Sequence, residues 1–232
     1  MENRLETLKA DFLENLEIGQ GRSSNTVRNY DYYITRFFQQ QSIGSIEDIS
    51  LSSIRLFRRW LHDEAGEKGQ GVALATQNYY FIAIRQFLKY LTKRDIACLS
   101  PDKIELAKLP ERDIDVLYPE EVDQLLASFP AKTVEDLRDF ALVSILFSTG
   151  VRISEAARLN RDDIRIEAKE LTVRGKGNKI RVVFLSEDAH TAIAAYEEKR
   201  TDIDPALFIR HKKGVGEDDD LRLTTRTMQR II

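Results

Sequence analysis

The run Phe140-Ala141-Leu142-Val143-Ser144-Ile145-Leu146-Phe147 constrains this chain more than any other stretch, because eight residues with a single hydroxyl among them must be buried. Gly150 then breaks the run, as glycine does at the C-terminal end of a helix. A new amphipathic turn follows, with Ile153, Ala156, Ala157 and Leu159 on its inner side. Arg152 therefore sits at the junction, at the start of a helix whose neighbours are apolar. An arginine held there presents a rigid fork of donors at a fixed point, which is what bidentate phosphate recognition needs. The same position suits a helix-start ion pair with Glu155, and the local pattern leaves both readings open.

The rest of the chain is long enough to surround that segment. Its 232 residues suffice for one large or two modest domains. The apolar share of 42% and the charged share of 31% describe an ordinary soluble globular protein. No apolar stretch approaches membrane-spanning length, and the amphipathic, acidic start is not a signal peptide. The single cysteine, Cys98, excludes an internal disulfide and fits a reducing, cytoplasmic setting. Net charge is -3, so bulk composition does not advertise nucleic-acid binding. Residues 1–110 carry 15 Lys+Arg against 14 Asp+Glu, and the remainder 20 against 24. A nucleic-acid partner would therefore require basic residues gathered on particular faces.

Periodicity predicts four helices in the first part. Leu5, Leu8, Phe12 and Leu16 mark the first, which ends near Gly19 and Gly21. Ser23-Ser24-Asn25 offers caps for a second, with Val27, Tyr30, Ile34, Phe37 and Phe38 inside. Ile54, Phe57, Trp60 and Leu61 stripe a third, and a glycine-rich loop follows from Gly66 to Gly71. The fourth, Leu74 to Thr92, turns Phe81, Ile84, Leu88 and Leu91 inward. Arg85, Lys89 and Lys93 lie four apart along one of its faces, with Gln77 and Asn78 near its start, while Arg28 belongs to the second helix. Such a face tracks phosphates, with the amides placed to reach base edges; it reads equally as a solvated surface.

Pro101 to Tyr118 loses all period and reads as a linker. The expected organisation is a helical domain over 1–99, a linker over 100–117 and a second domain over 118–232. Pro119-Glu120-Glu121 opens a helix, and the buried run forms the next. After Leu159 the period becomes strand-like, through Asp163 to Ile166, Glu170 to Arg174 and Lys179 to Phe184, which predicts a three-stranded antiparallel meander. Ser186-Glu187-Asp188 caps a further helix with Tyr196 on its apolar side, and Pro205 to Ile209 reads as a short extended or turn segment. Thr224-Thr225 caps a last helix of a few residues, which reads as a chain cut short inside an element. The fold class expected is mainly α with a small antiparallel sheet.

Lys176 lies between two glycines in the turn of the second hairpin, flanked by Arg174, Lys179 and Arg181. Glycines let such a basic finger approach a phosphate backbone. With Arg152 nearby, the pair could polarise a phosphodiester and protonate its leaving oxygen; an exposed hairpin tip of ordinary composition is the plainer alternative.

The segment Thr149-Gly150-Val151-Arg152-Ile153-Ser154-Glu155, with Leu159 and Asp162-Asp163-Ile164 after it, resembles the first catalytic box of the tyrosine recombinase (phage integrase-like) family. Gly175-Lys176-Gly177-Asn178-Lys179 resembles that family's β-hairpin lysine, and Leu117 to Val122 the opening of its catalytic domain. Ser24 to Tyr30 and Thr76-Gln77 through Leu91 look like its SAM-like core-binding domain, in the Xer or integron/transposon integrase style. The resemblance implies a site-specific DNA recombinase working without metal or nucleotide cofactor through a 3′-phosphotyrosine. Arg152 would stabilise the transition state and Lys176 would act as general acid. Arg28, Gln77, Asn78, Arg85, Lys89, Arg174, Lys179 and Arg181 would contact DNA. Partners would be duplex DNA with inverted half-sites, with tetramers on DNA, a monomer off it and no membrane. The family's His-x-x-Arg box and nucleophilic tyrosine cannot be placed: none of His62, His190 and His211 has an arginine three residues on, and Tyr196 reads as core. The alternative expectation is a non-catalytic DNA-binding protein of the same fold that occupies or regulates recombination sites.

Overall fold

The computed structural model describes residues 4–63, 71–111, 113–130, 132–175, 177, 179–211 and 220–232. The chain divides into two compact units, Met1–Asp113 and Ile114–Ile232.

The first unit is a helical bundle: α1 (Arg4–Glu14), α2 (Ser24–Gln40), α3 (Leu51–Asp63) and α4 (Leu74–Thr92). The first helix ends in one wider turn, Asn15–Gly19. Ser23 caps α2, its Oγ accepting the Thr26 N–H at 3.3 Å, which satisfies one of the orphan donors of that helix start. The four faces expected from periodicity meet in one core. Phe12, Phe37, Phe57, Phe81 and Phe87 are all at most 1% exposed, and α4 packs against each of the other three helices. Edge-to-face ring pairs, such as Phe37 on Phe57 at 5.1 Å and Phe12 on Phe87 at 5.5 Å, fill it. Residues 101–107, which have no period, are nevertheless laid onto this bundle. A turn at Pro101–Lys103 leads to Ile104, which is 1% exposed, and Arg58 Nη2 donates to the Glu105 carbonyl at 2.6 Å.

The second unit holds α5 (Pro119–Ala127), α6 (Val134–Thr149), the short α7 (Ile153–Ala156), a sheet, α8 (Glu187–Lys199) and α9 (Thr225–Ile231). The sheet is the expected meander: β1 (Ile164–Arg165), β2 (Glu170–Arg174) and β3 (Ile180–Phe184), antiparallel in that order. The apolar run lies in α6, packed on α8, with Ala141, Leu142 and Ile145 wholly buried. Gly150 ends α6 in the left-handed conformation (φ 62°), its N–H returning to the Leu146 carbonyl, a conformation that costs glycine nothing.

Pro205–Ile209 goes deeper than a surface turn. Ala206, Leu207, Phe208 and Ile209 are each 1% exposed and bridge to Asn160 and Arg222. The Arg200 guanidinium holds this loop by donating to the carbonyls of Ala206 and Leu207 at 2.7 and 2.9 Å. Backbone groups with no ladder to join are thereby satisfied inside the core. Tyr196 is core as expected, stacked on Phe208, with its hydroxyl 3.0 Å from His211 Nε2. Burial pushes that phenol up to about 12.

Candidate phosphate-facing sites

Arg152 is the N-cap of α7, between buried Val151 and buried Ala156. Its backbone is thus anchored on both sides while its side chain stays 74% exposed. Of the two openings read from sequence, the structure shows the ion pair: Nη1 lies 3.3 Å from Glu155 Oε1. One long contact does not consume a five-donor fork, so the guanidinium still faces outward.

Glu155 is the centre of this cluster. Its side chain is 4% exposed, and its carboxylate accepts the Arg152 backbone N–H at 2.9 Å, which ties off the start of α7. Arg181 reaches it from β3 with two parallel bonds, Nη1 to Oε1 at 3.0 Å and Nη2 to Oε2 at 2.8 Å. These bonds, the Arg181 fork first, hold the carboxyl down at about 2. Arg181 was expected to contact DNA; in the structure its fork closes on Glu155, and its side chain is 39% exposed. Strand parity is the reason. Arg181 pairs across the ladder with Val173 and Val183 with Leu171, both partners wholly buried, so Arg181 stands on the inner face. Arg174 and Lys179 are exposed at the ends of β2 and just before β3. Lys176 lies outside the described residues, as does Asn178.

In the first unit, Gln77 and Asn78 are corrected as base-reading amides. Gln77 is 4% exposed and donates Nε2 to the Val72 carbonyl at 2.9 Å. Asn78 is 7% exposed and pairs with Ala107 twice, donating Nδ2 to its carbonyl at 2.8 Å and accepting its N–H at 2.9 Å. The irregular segments beside α4 have backbone groups that no helix or ladder satisfies, and these amides are the nearest donors and acceptors.

The basic face of α4 is real but graded. Arg85 is half-buried, while Lys89 and Lys93 are exposed and line an open cleft of about 450 Å³ with Gln20, Gln86 and Arg94. Arg28 is exposed on α2 and lines a second open cleft of about 470 Å³ with Tyr32, Thr35, Arg36 and Gln39. Arg36 donates Nη1 to the Tyr32 and Tyr80 hydroxyls and lies 4.9 Å from the Trp60 ring, an aromatic setting that spacing alone did not single out. Sequence reasoning also gave Glu155 too small a part. A carboxylate at the third position of a helix is the signal that could have raised it. Among the described residues, no group of three His, Cys, Asp or Glu side chains is placed to hold a metal ion, and no helix is long and apolar enough to cross a membrane.

Residues 115–232 match the model of the phage integrase family, and residues 10–95 match the phage integrase N-terminal SAM-like domain. The tyrosine recombinase XerC of Corynebacterium glutamicum is 31% identical over 99% of this chain and 71% of its own length. The tyrosine recombinase XerA of Pyrococcus furiosus is 28% identical over 99% of this chain and 74% of its own. In fold, the chain is similar to a lambda integrase solved as a tetramer bound to a Holliday junction, with a TM-score of 0.69, 16% identity and coverage of 97% of this chain and 63% of that one. Matched in both of its units and over nearly all its length, this chain belongs to the phage integrase family of tyrosine recombinases and is of the Xer type.

Proposed function

We propose that this chain binds duplex DNA as part of a site-specific recombinase, with residues 1–99 as a core-binding domain, 100–117 as its connection and 118–232 in a catalytic domain. The observation that carries the reading is Arg152: a mostly exposed guanidinium whose backbone is pinned by a buried carboxylate. Such a group is set to stabilise charge as it develops on a phosphodiester, and does not reorganise when the reaction occurs. Lys176 would protonate the departing 5′ oxygen, and strand exchange would run through a 3′-phosphotyrosine. Arg28, Arg85, Lys89, Arg174 and Lys179 would track backbone phosphates. The substrate would be two inverted half-sites in the cytoplasm, filled by several copies that are monomers off DNA; the lambda integrase tetramer on its junction supports the multi-subunit part.

Anisotropy titration of a labelled duplex should show affinity falling steeply with salt, because each neutralised phosphate releases counterions. A nicked suicide duplex resolved on a denaturing gel should yield no covalent adduct with these 232 residues, since Tyr196, the one tyrosine after Lys176, is buried. Salt-independent binding would refute the DNA reading, and an adduct would refute the assignment of Tyr196 to the core.

A further inference from the structure

We propose that Arg181 is a positioning residue that keeps Arg152 available to phosphate by satisfying Glu155 in its place. The inference rests on the reading of Arg152 given above and adds a residue that touches no substrate.

Glu155 is a buried carboxylate with two cationic neighbours and room to satisfy only one of them fully. Arg181 takes both oxygens at 2.8 and 3.0 Å, whereas Arg152 holds one at 3.3 Å. A buried charge cannot be left unpaired without a large penalty. Without the Arg181 fork, the remaining cation in reach of Glu155 among the described residues is Arg152, which would be drawn inward and would spend its own fork there. With Arg181 in place the demand is met, and Arg152 remains 74% exposed.

Two further observations fit a built clamp. Strand parity turns Arg181 to the inner face, opposite buried Val173, with its side chain 39% exposed and its fork on Glu155. Gly175 leaves the clamp its space: a Cβ there would stand 3.1 Å from Arg181 Nη1 and 3.3 Å from Glu155 Oε1. A side chain at 175 would therefore press on the same pair of bonds.

A binding cycle on duplex DNA tests the proposal, with Arg152→Ala, Arg181→Gln, their double variant, and Arg181→Gln combined with Glu155→Gln. Arg181→Gln should cost the same several-fold loss of affinity as Arg152→Ala, and the double variant should lose nothing more, because both act through one group. Neutralising Glu155 in the Arg181→Gln background should restore affinity, since nothing then sequesters Arg152. A merely structural arginine would not be rescued by a second substitution in the core. If the two single losses multiply, and each lowers the salt slope by about 0.9, Arg181 is itself a phosphate contact and the proposal is overturned. If Arg152→Ala leaves affinity unchanged, the phosphate reading of Arg152 fails, and the clamp is decided by the Arg152 Nε–H signal in NMR. That signal should shift in Arg181→Gln; an unmoved signal overturns the clamp. Where Arg181→Gln does not fold, Arg181→Lys, which keeps the charge and loses the two-pronged geometry, enters the same cycle.

Discussion

At the start of α4, Gln77 and Asn78 turn inward and spend their amides on Val72 and Ala107; at the start of α7, Arg152 stays outside. Both places carry polar side chains where a chain enters a helix, and both read from sequence as facing a ligand. The difference lies in what the surrounding backbone lacks. Beside α4, irregular segments bring carbonyls and an N–H that only side chains can satisfy. Beside α7 the same need is met by Glu155, and Glu155 is met chiefly by Arg181, so Arg152 is held by one contact of 3.3 Å and stays mostly exposed. A polar residue near a helix start remains free for a ligand only when something else has already answered the local demand.

Breaking the α7 side should have the largest effect. Glu155→Gln removes the charge partner of Arg181 and weakens the acceptor at the start of α7, and should lower the urea midpoint of the second unit more than any variant below. The pH dependence sharpens the same point. The Glu155 carboxyl is held at about 2 in place of 4.5, so its contribution is complete above the ordinary value and is lost as pH falls toward 2. The acid limb of stability between those values should flatten in Glu155→Gln, and an unchanged limb would mean that other carboxylates dominate it.

On the α4 side, Asn78→Ala strips both partners from Ala107 and should cost the first unit about 2 kcal/mol. Its salt slope for DNA should stay at the parent value, whereas Lys89→Ala should lower the slope by about one at little cost in stability. If Asn78→Ala instead relaxed the base preference of binding, with stability intact, the amide would be reading DNA after all. The smallest effect belongs to Arg152→Ala on stability, within about 0.5 kcal/mol, because the side chain is exposed and its pair with Glu155 is the weaker of two. A loss several times larger would show that Arg152, and not Arg181, is the main partner of Glu155.

What the residues alone determined is what short-range periodicity can carry. The apolar spacings of Phe12 with Leu16, of Ile34 with Phe37 and Phe38, and of Phe81, Ile84 and Leu88 mark helices whose inner faces do form one core. Ser23 as a cap and Gly150 as a stop are local chemistry, and so is the meander. Three matters waited for the tertiary structure. The parity of β3 was ambiguous because Ile180, Val182 and Phe184 are apolar as well as Val183, and only pairing with buried Leu171 and Val173 showed which face turns inward. Pro205–Ile209 carries no period, yet Arg200 supplies the hydrogen bonds that let it lie in the core. Residues 101–107 joined the bundle through Arg58 and Asn78, from helices distant in sequence. In each case the deciding partner lies beyond the three- or four-residue reach of a periodicity, from six residues for Arg200 and Ala206 to forty-seven for Arg58 and Glu105. A spacing rule sees only neighbours, whereas the satisfaction of a buried polar group depends on whatever the fold brings beside it.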